Sequence, residues 1–299
     1  MANIVIETRE LTKYYGKTRG IEDFNLTIQN GEIFGFLGPN GAGKTTTIRL
    51  LLGLIKPTKG TAMIFGKDIR KSYAQILQHI GYLSGDMILY EKMTGKELLN
   101  LASAFYKRKA DPQIANEIER RLECNLKTPI KKLSKGNKQK IAILLALAHN
   151  PDIAILDEPT NGLDPIAQHE LYAILTDFKK QGMTIFFSSH NLIEVEKVCD
   201  RVGIVRQGKL VDIETIQTLQ RQRQKLVEII FADTYNIENF TKIPGVAVKN
   251  ATEITLQILA NPSTLQDIVS VLASCKVKDI TITYPDLEQI FLQYYKEIT

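Results

Sequence analysis

The sequence predicts an α/β fold on a mostly parallel sheet, with an inserted helical subdomain and a small C-terminal α+β domain. Three observations carry this. Apolar strand patterns alternate with helical ones, and the strands are apolar on both faces, as in a parallel sheet covered by helices on each side. From about Gly85 to Asn150 the composition turns helical. Near Glu214 the texture changes again, to short strands and helices. These shifts place an N-terminal domain at residues 1–213, its helical subdomain at about 85–150, and an accessory domain at 214–299.

Each element follows in order. Residues 4–8 and 24–28 read as short strands. Residues 32–37 (Glu-Ile-Phe-Gly-Phe-Leu) read as a buried strand that runs into Gly38-Pro39-Asn40-Gly41-Ala42-Gly43-Lys44-Thr45-Thr46. A helix follows, marked by Ile48, Leu51, Leu52 and Ile55. Residues 80–83 form a strand. Leu98, Leu101, Ala102 and Phe105, then Ile114, Ile118 and Leu122, have helical spacing. A helix is expected over Lys138 to Ala148. Residues 153–157 are a continuous apolar strand ending in Asp157, and 183–187 are another ending at Ser188-Ser189-His190. Beyond them lie a polar helix over 215–225, strands over 226–231, 245–248 and 254–259, a helix over 262–274 and a strand over 280–284. A last helix covers 285–295, with Asp286 at or next to its N-cap.

Composition excludes several classes. Hydrophobic residues at 44% and charged residues at 24% are ordinary globular usage, which argues against disordered and fibrous chains. A chain of this size buries roughly three quarters of its unfolded surface, so the core is large. The three cysteines, Cys124, Cys199 and Cys275, are too few and too scattered for a disulfide framework or a zinc site, and suggest a reducing compartment. The net charge of +5 is mild and does not demand nucleic acid. Met1 to Glu10 carries Glu7 and Glu10 and no apolar signal core. The longest apolar stretches, near 50–55 and 141–148, fall far short of the roughly 18 residues a span needs. Any membrane role is therefore expected to come through a partner.

Gly38-x4-Gly43-Lys44-Thr45 is a P-loop. Glycines let the loop curl so that backbone N–H groups point at phosphate oxygens, and the helix that follows adds its positive N-terminal end. Lys44 is expected to reach the β- and γ-phosphates, and Thr45, with Thr46 beside it, to ligate Mg²⁺. Asp157 ends a strand, where a parallel sheet places its ligands, and is expected to hold Mg²⁺ directly or through water. Glu158 is placed to polarise an attacking water as general base.

At this point the motifs resemble those of the nucleotide-binding subunit of an ABC transporter. Leu133-Ser134-Lys135-Gly136-Asn137 stands where that family has its signature, and Leu156-Asp157-Glu158-Pro159-Thr160 is similar to its Walker B segment. Asn161-Gly162-Leu163-Asp164 resembles the D-loop, and Ser189-His190 the switch histidine. Tyr15 stands where the family places an aromatic that stacks on adenine, with Tyr14 beside it as an alternative. The resemblance covers roughly residues 4–212. It implies a P-loop NTPase core of ABC type that hydrolyses ATP with Mg²⁺. Tyr15, Gly38, Pro39, Asn40, Gly41, Ala42, Gly43, Lys44, Thr45, Thr46, Ser134, Gly136 and Asp164 would contact nucleotide. Ser134 and Gly136, at a predicted helix N-terminus, would meet the γ-phosphate held by another subunit. Lys44, Glu158 and His190 would be catalytic, and Thr45 and Asp157 would hold the metal.

The same resemblance implies a homodimer or heterodimer of ATPase subunits, a separate polytopic permease subunit, no nucleic acid, and a peripheral place on the cytoplasmic face of the cell membrane. A ribosome- or DNA-acting ATPase and an importer subunit are the alternatives. Pro285 to Leu292 and the segment from Gly81 to Glu97 are similar to ATPases of ABC-2-type exporters. Two departures stand out. The signature has Lys135 and Asn137 in place of glycine and glutamine. The glutamine usual after residues 80–83 is replaced by Ser84-Gly85-Asp86, where Asp86 or a water would take its place.

Overall fold

The computed structural model describes residues 4–105, 109–222 and 224–283. The expected helix over 285–295 lies outside the described residues, as do Asp286 and the Pro285–Leu292 segment. The chain divides into two compact units, Met1–Ile216 and Gln217–Thr299.

The first unit opens with β1 (Ile4–Tyr15), β2 (Thr18–Gln29), β3 (Ile33–Leu37) and α1 (Lys44–Leu51). It continues through β4 (Lys59–Ile64), β5 (Lys67–Asp68), α2 (Tyr73–Leu77) and β6 (Ile80–Leu83). Then come α3 (Gly95–Phe105), α4 (Pro112–Leu122) and α5 (Lys135–Leu147), all inside the segment read as helical. The last elements are β7 (Ile153–Asp157), α6 (Pro165–Lys180), β8 (Thr184–Ser189), α7 (Leu192–Val198), β9 (Arg201–Arg206) and β10 (Lys209–Thr215). β10 therefore runs two residues past the boundary expected at 213. The sequence reading of β1 and β2 stopped short because the strands bulge. Register shifts around Thr8–Leu11, and left-handed backbone at Glu10 (φ 47°) and Asp23 (φ 51°), interrupt the two-residue alternation on which that reading rests.

Two sheets make this unit. Six strands in the order β10-β9-β3-β8-β7-β6 form the central sheet, parallel except for β10. The antiparallel sheet β2-β1-β4-β5 stands beside it. Every residue of β3, β7 and β8 is buried, which explains their uninterrupted apolar runs. Phe34, Phe36 and Phe186 share one core with Phe24, Leu26 and Ile28 of β2 and with Ile48 and Leu51 of α1. Phe36 and Phe186 lie 5.0 Å apart between ring centroids, tilted at 46°. Such aromatic pairs add about 0.5–1.5 kcal/mol beyond their burial. The register matters most for the site. Leu37 stands level with Ser189, and Asp157 level with Ser188, so β3, β7 and β8 all end on one edge of the sheet.

Crossing the division, α8 (Ile216–Gln222) ends earlier than the polar helix read over 215–225, because Lys225 already pairs with Ala260 in a strand. The second unit holds β11 (Lys225–Phe231), α9 (Glu238–Thr241), β12 (Val246–Ala251), β13 (Thr255–Ala260), α10 (Leu265–Leu272) and β14 (Val277–Thr283). Gly245, at φ 81°, turns the chain into β12, so that strand starts one residue later than expected. The sheet order is β12-β13-β11-β14, all antiparallel. Its core gathers Val227, Ile229 and Phe231 with Leu256, Ile258, Phe240 and Ile268.

Among the described residues no helix is long and apolar enough to cross a membrane. The three cysteines are free thiols. Burial pushes the Cys124 thiol up to about 12 and the Cys199 thiol well above its ordinary value, whereas Cys275 is only half-buried. Thiolate is the reactive form, so Cys275 should react first with a thiol-specific reagent at pH 8. Cys124 and Cys199 should react only after unfolding. Equal labelling rates for all three in the folded protein would contradict this arrangement.

Candidate active site

The loop between β3 and α1 is where the sheet edge becomes a binding surface. Gly43 precedes α1 with φ 108°, a conformation a side chain resists, and starts the helix at Lys44. The first N–H groups of α1 have no intrahelical partner and open toward the loop. Lys44 is only 6% exposed. Its Nζ donates to the carbonyl oxygens of Gly38 at 2.6 Å and Pro39 at 3.4 Å, and lies 3.2 Å from Glu158 Oε1.

Asp157 is the last residue of β7 and is buried. Thr45 Oγ1 donates to its Oδ2 at 3.1 Å, and Ser188 Oγ to its Oδ1 at 2.6 Å. The level ends of β7 and β8 make the second contact possible. Glu158 follows in left-handed backbone (φ 51°), with its N–H bonded to Ser188 O. This twist turns its side chain toward the loop. Its Oε2 meets His190 Nδ1 at 2.8 Å, just beyond β8. Lys44, Glu158 and His190 thus form one chain of contacts, and Thr45, Asp157 and Ser188 another.

Tyr15, Pro39, Asn40, Gly41, Gly43, Lys44, Thr45, Thr46, Asp157 and Glu158 line one cleft of about 430 Å³. Gly38 and Ala42 belong to the same loop but are buried behind its surface. The two tyrosines have different surroundings. The Tyr14 hydroxyl donates to Glu22 Oε1 at 2.5 Å, while Tyr15 faces the cleft, half-exposed, with Lys13 Nζ 5.2 Å from its ring centroid. Thr45, Asp157 and Asp86 present hard oxygen donors to this cleft, the chemistry Mg²⁺ prefers, so the residues fit that ion.

Ser134, Gly136 and Asp164 do not line the cleft. Ser134 caps α5, accepting from Asn137 N at 3.3 Å. Asp164 caps α6, accepting from Ala167 N at 2.9 Å, and that bond holds its carboxyl below the usual carboxylate range. The α5 tip still reaches the Walker B turn. Gln139 Nε2 donates to Pro159 O at 2.8 Å, and a Cβ on Gly136 would stand 2.6 Å from Gly162 O.

Gly85 of the Ser84-Gly85-Asp86 stretch and Asn161 of the D-loop segment also line the cleft, and so do Arg19 and Gly20, which the sequence did not single out, any more than it did Ser188. Two serines closing an apolar strand were the available signal for Ser188. Gly85 belongs to the stretch after β6, and β6 lies beside β7. A Cβ there would lie 3.3 Å from Asp157 Oδ2.

A P-loop at the edge of a parallel sheet, joined by a strand-end aspartate, a following glutamate and a histidine, defines an ATPase cassette. The chain belongs to the ABC transporter family and is an ABC transporter ATP-binding protein. The family model described as ABC transporter matches residues 21–161. The bacitracin transport ATP-binding protein BcrA of Bacillus licheniformis is 40% identical over 233 residues, covering 77% of this chain and 76% of that one. The probable multidrug ABC transporter ATP-binding protein YbhF of Escherichia coli is 38% identical over 73% of this chain, which corresponds to 38% of that longer protein. Among solved structures, an ATP-binding subunit of an ABC transporter superposes with TM-score 0.66 at 30% identity, over 73% of this chain and 92% of that one. A dimeric ATP-binding cassette in a post-hydrolysis state with ADP and Pi gives TM-score 0.65 at 25% identity, over 71% of this chain and 98% of that one.

Proposed function

We propose that this chain powers an exporter by binding and hydrolysing Mg-ATP between two ATPase subunits coupled to a separate membrane subunit. The observation that carries the reading is the convergence of Lys44, Thr45, Asp157 and Glu158 on one cleft. In it, loop and helix N–H groups bind the phosphates and Lys44 pairs with the β- and γ-oxygens. Tyr15 stacks on adenine. Thr45 and Asp157 would hold Mg²⁺, with Asp86 or a water at the place of the missing glutamine; the ion supplies charge neutralisation at the phosphates. Glu158 takes a proton from the attacking water, and His190, whose Nδ1 lies 2.8 Å from Glu158 Oε2, orients that water and faces the γ-phosphate.

Ser134, Gly136 and Asp164 serve the nucleotide of the other subunit, in a homodimer or heterodimer. Their placement outside their own chain's cleft and the dimeric cassette of similar fold support this. The relatives named for bacitracin transport and for multidrug transport support a transport role, and the resemblance of residues 81–97 and 285–292 to ATPases of ABC-2-type exporters favours export. The working location is then the cytoplasmic face of the cell membrane. The test is co-expression with any polytopic membrane protein that a neighbouring reading frame encodes. The two should purify together, and ATP turnover should depend on Mg²⁺ and rise in the complex. Purification with ribosomes or DNA instead would overturn the reading.

A further inference from the structure

We propose that Gly208, a turn residue outside the cleft, is a positioning residue for the phosphate-binding loop. It rests on the reading of that loop as a phosphate site, and three contacts carry it. Gly208 N–H donates to Ala42 O at 2.9 Å. Gly208 O accepts from Glu22 N–H at 2.7 Å. A Cβ on Gly208 would lie 2.8 Å from Gly20 O, so no side chain fits between the turn and β2.

The first contact matters because of peptide geometry. The described peptide bonds are trans. In a trans peptide the C=O and the N–H of the next residue point in opposite directions. Ala42 O and Gly43 N–H share one such plane. Holding Ala42 O outward, on Gly208, turns Gly43 N–H inward to the phosphates. Released, that plane can flip, and a carbonyl oxygen then faces an anion where a donor stood. Gly43 is confined on its other side as well, since a Cβ there would sit 2.8 Å from Ile21 Cγ2 and 2.9 Å from Gly20 O. The loop, β2 and the β9–β10 turn therefore meet backbone to backbone, and the Gly208 amide sets the orientation of the junction.

The molecule contains its own control. Gln207-Gly208 joins β9 to β10 with φ 46° and 75°, and Phe65-Gly66 joins β4 to β5 with φ 52° and 71°. Both are two-residue turns with positive φ at each position, the signature of a type I′ hairpin. Nothing lies within 4 Å of a Cβ on Gly66, and Gly66 makes no contact with the phosphate loop. Gly66→Ala and Gly208→Ala thus carry the same local backbone strain, and only the second disturbs the loop.

ATP affinity is measured for parent, Gly66→Ala and Gly208→Ala, each verified as folded by circular dichroism. Gly208→Ala should bind ATP roughly tenfold or more weakly, the scale of a lost hydrogen bond to a charged group. Gly66→Ala should stay within about twofold of the parent. In ¹H–¹⁵N spectra the Gly43 amide should move downfield when ADP is added to parent and Gly66→Ala, and not in Gly208→Ala. If Gly208→Ala fails to fold, an amide-to-ester replacement at position 208, which removes only the N–H, takes its place. Parental affinity and a parental Gly43 shift in either Gly208 variant would overturn the proposal. Equal losses in the two alanine variants would do so too. A parent protein that bound no ATP would instead remove the underlying reading of the loop.

Discussion

Glu158→Gln protein should still bind Mg-ATP, yet turn it over about a hundredfold or more slowly, the scale of a lost general base. Glutamine keeps the shape and an oxygen for His190, so the fold and the 2.8 Å contact have a replacement. It cannot take a proton. The left-handed backbone at Glu158 and the bond from its N–H to Ser188 O fix where the group stands. Asp157 is committed to Thr45 and Ser188. In the proposed two-subunit mechanism ATP closes the pair and hydrolysis reopens it, so the variant should accumulate as an ATP-bound dimer on sedimentation. Parental turnover would remove Glu158 from the role of base. A strictly single chain in saturating ATP at high concentration would remove the two-chain site.

Lys44→Ala should lower ATP affinity by about a hundredfold or more, since each hydrogen bond to a charged partner contributes roughly 1.5–3 kcal/mol and Lys44 would serve two phosphates. The loss has a second component. Lys44 Nζ ties down the carbonyl oxygens of Gly38 and Pro39, at the root of the loop, and stands against Glu158. Without it the loop loses an internal anchor and Glu158 loses its cation. Arginine is no substitute, because its planar fork does not fit a contact made by a compact ammonium. Calorimetric titration decides the matter. Parental affinity in the alanine variant would mean that the loop does not grip phosphate through this side chain.

Much of the site was legible because its chemistry is local. The loop from Gly38 to Thr46 is one contiguous segment, and Asp157 ends its strand at the residue the apolar run predicted. What stayed hidden depends on pairing across the chain. Ser188 reaches Asp157 only because β7 and β8 run parallel and level. Tyr14 remained an alternative to Tyr15 in the sequence, and its bond to Glu22 on the neighbouring strand depends on strand pairing. The long β1 and β2 were read short because bulges break their alternation. The β9–β10 hairpin escaped notice because Gln-Gly is a weaker turn signal than Asn-Gly or Asp-Gly.

The pairing of Lys44 with Glu158 has one more consequence. Glu158 is a resident rival for the Lys44 ammonium group, and in the proposed role of Lys44 an incoming nucleotide has to displace that carboxylate before it gains the lysine. Apparent affinity is then the intrinsic one scaled down by the share of molecules in which the lysine is released. In the proposed ATPase cycle such moderation eases release of the product, since a grip without internal opposition would hold ADP as stubbornly as ATP.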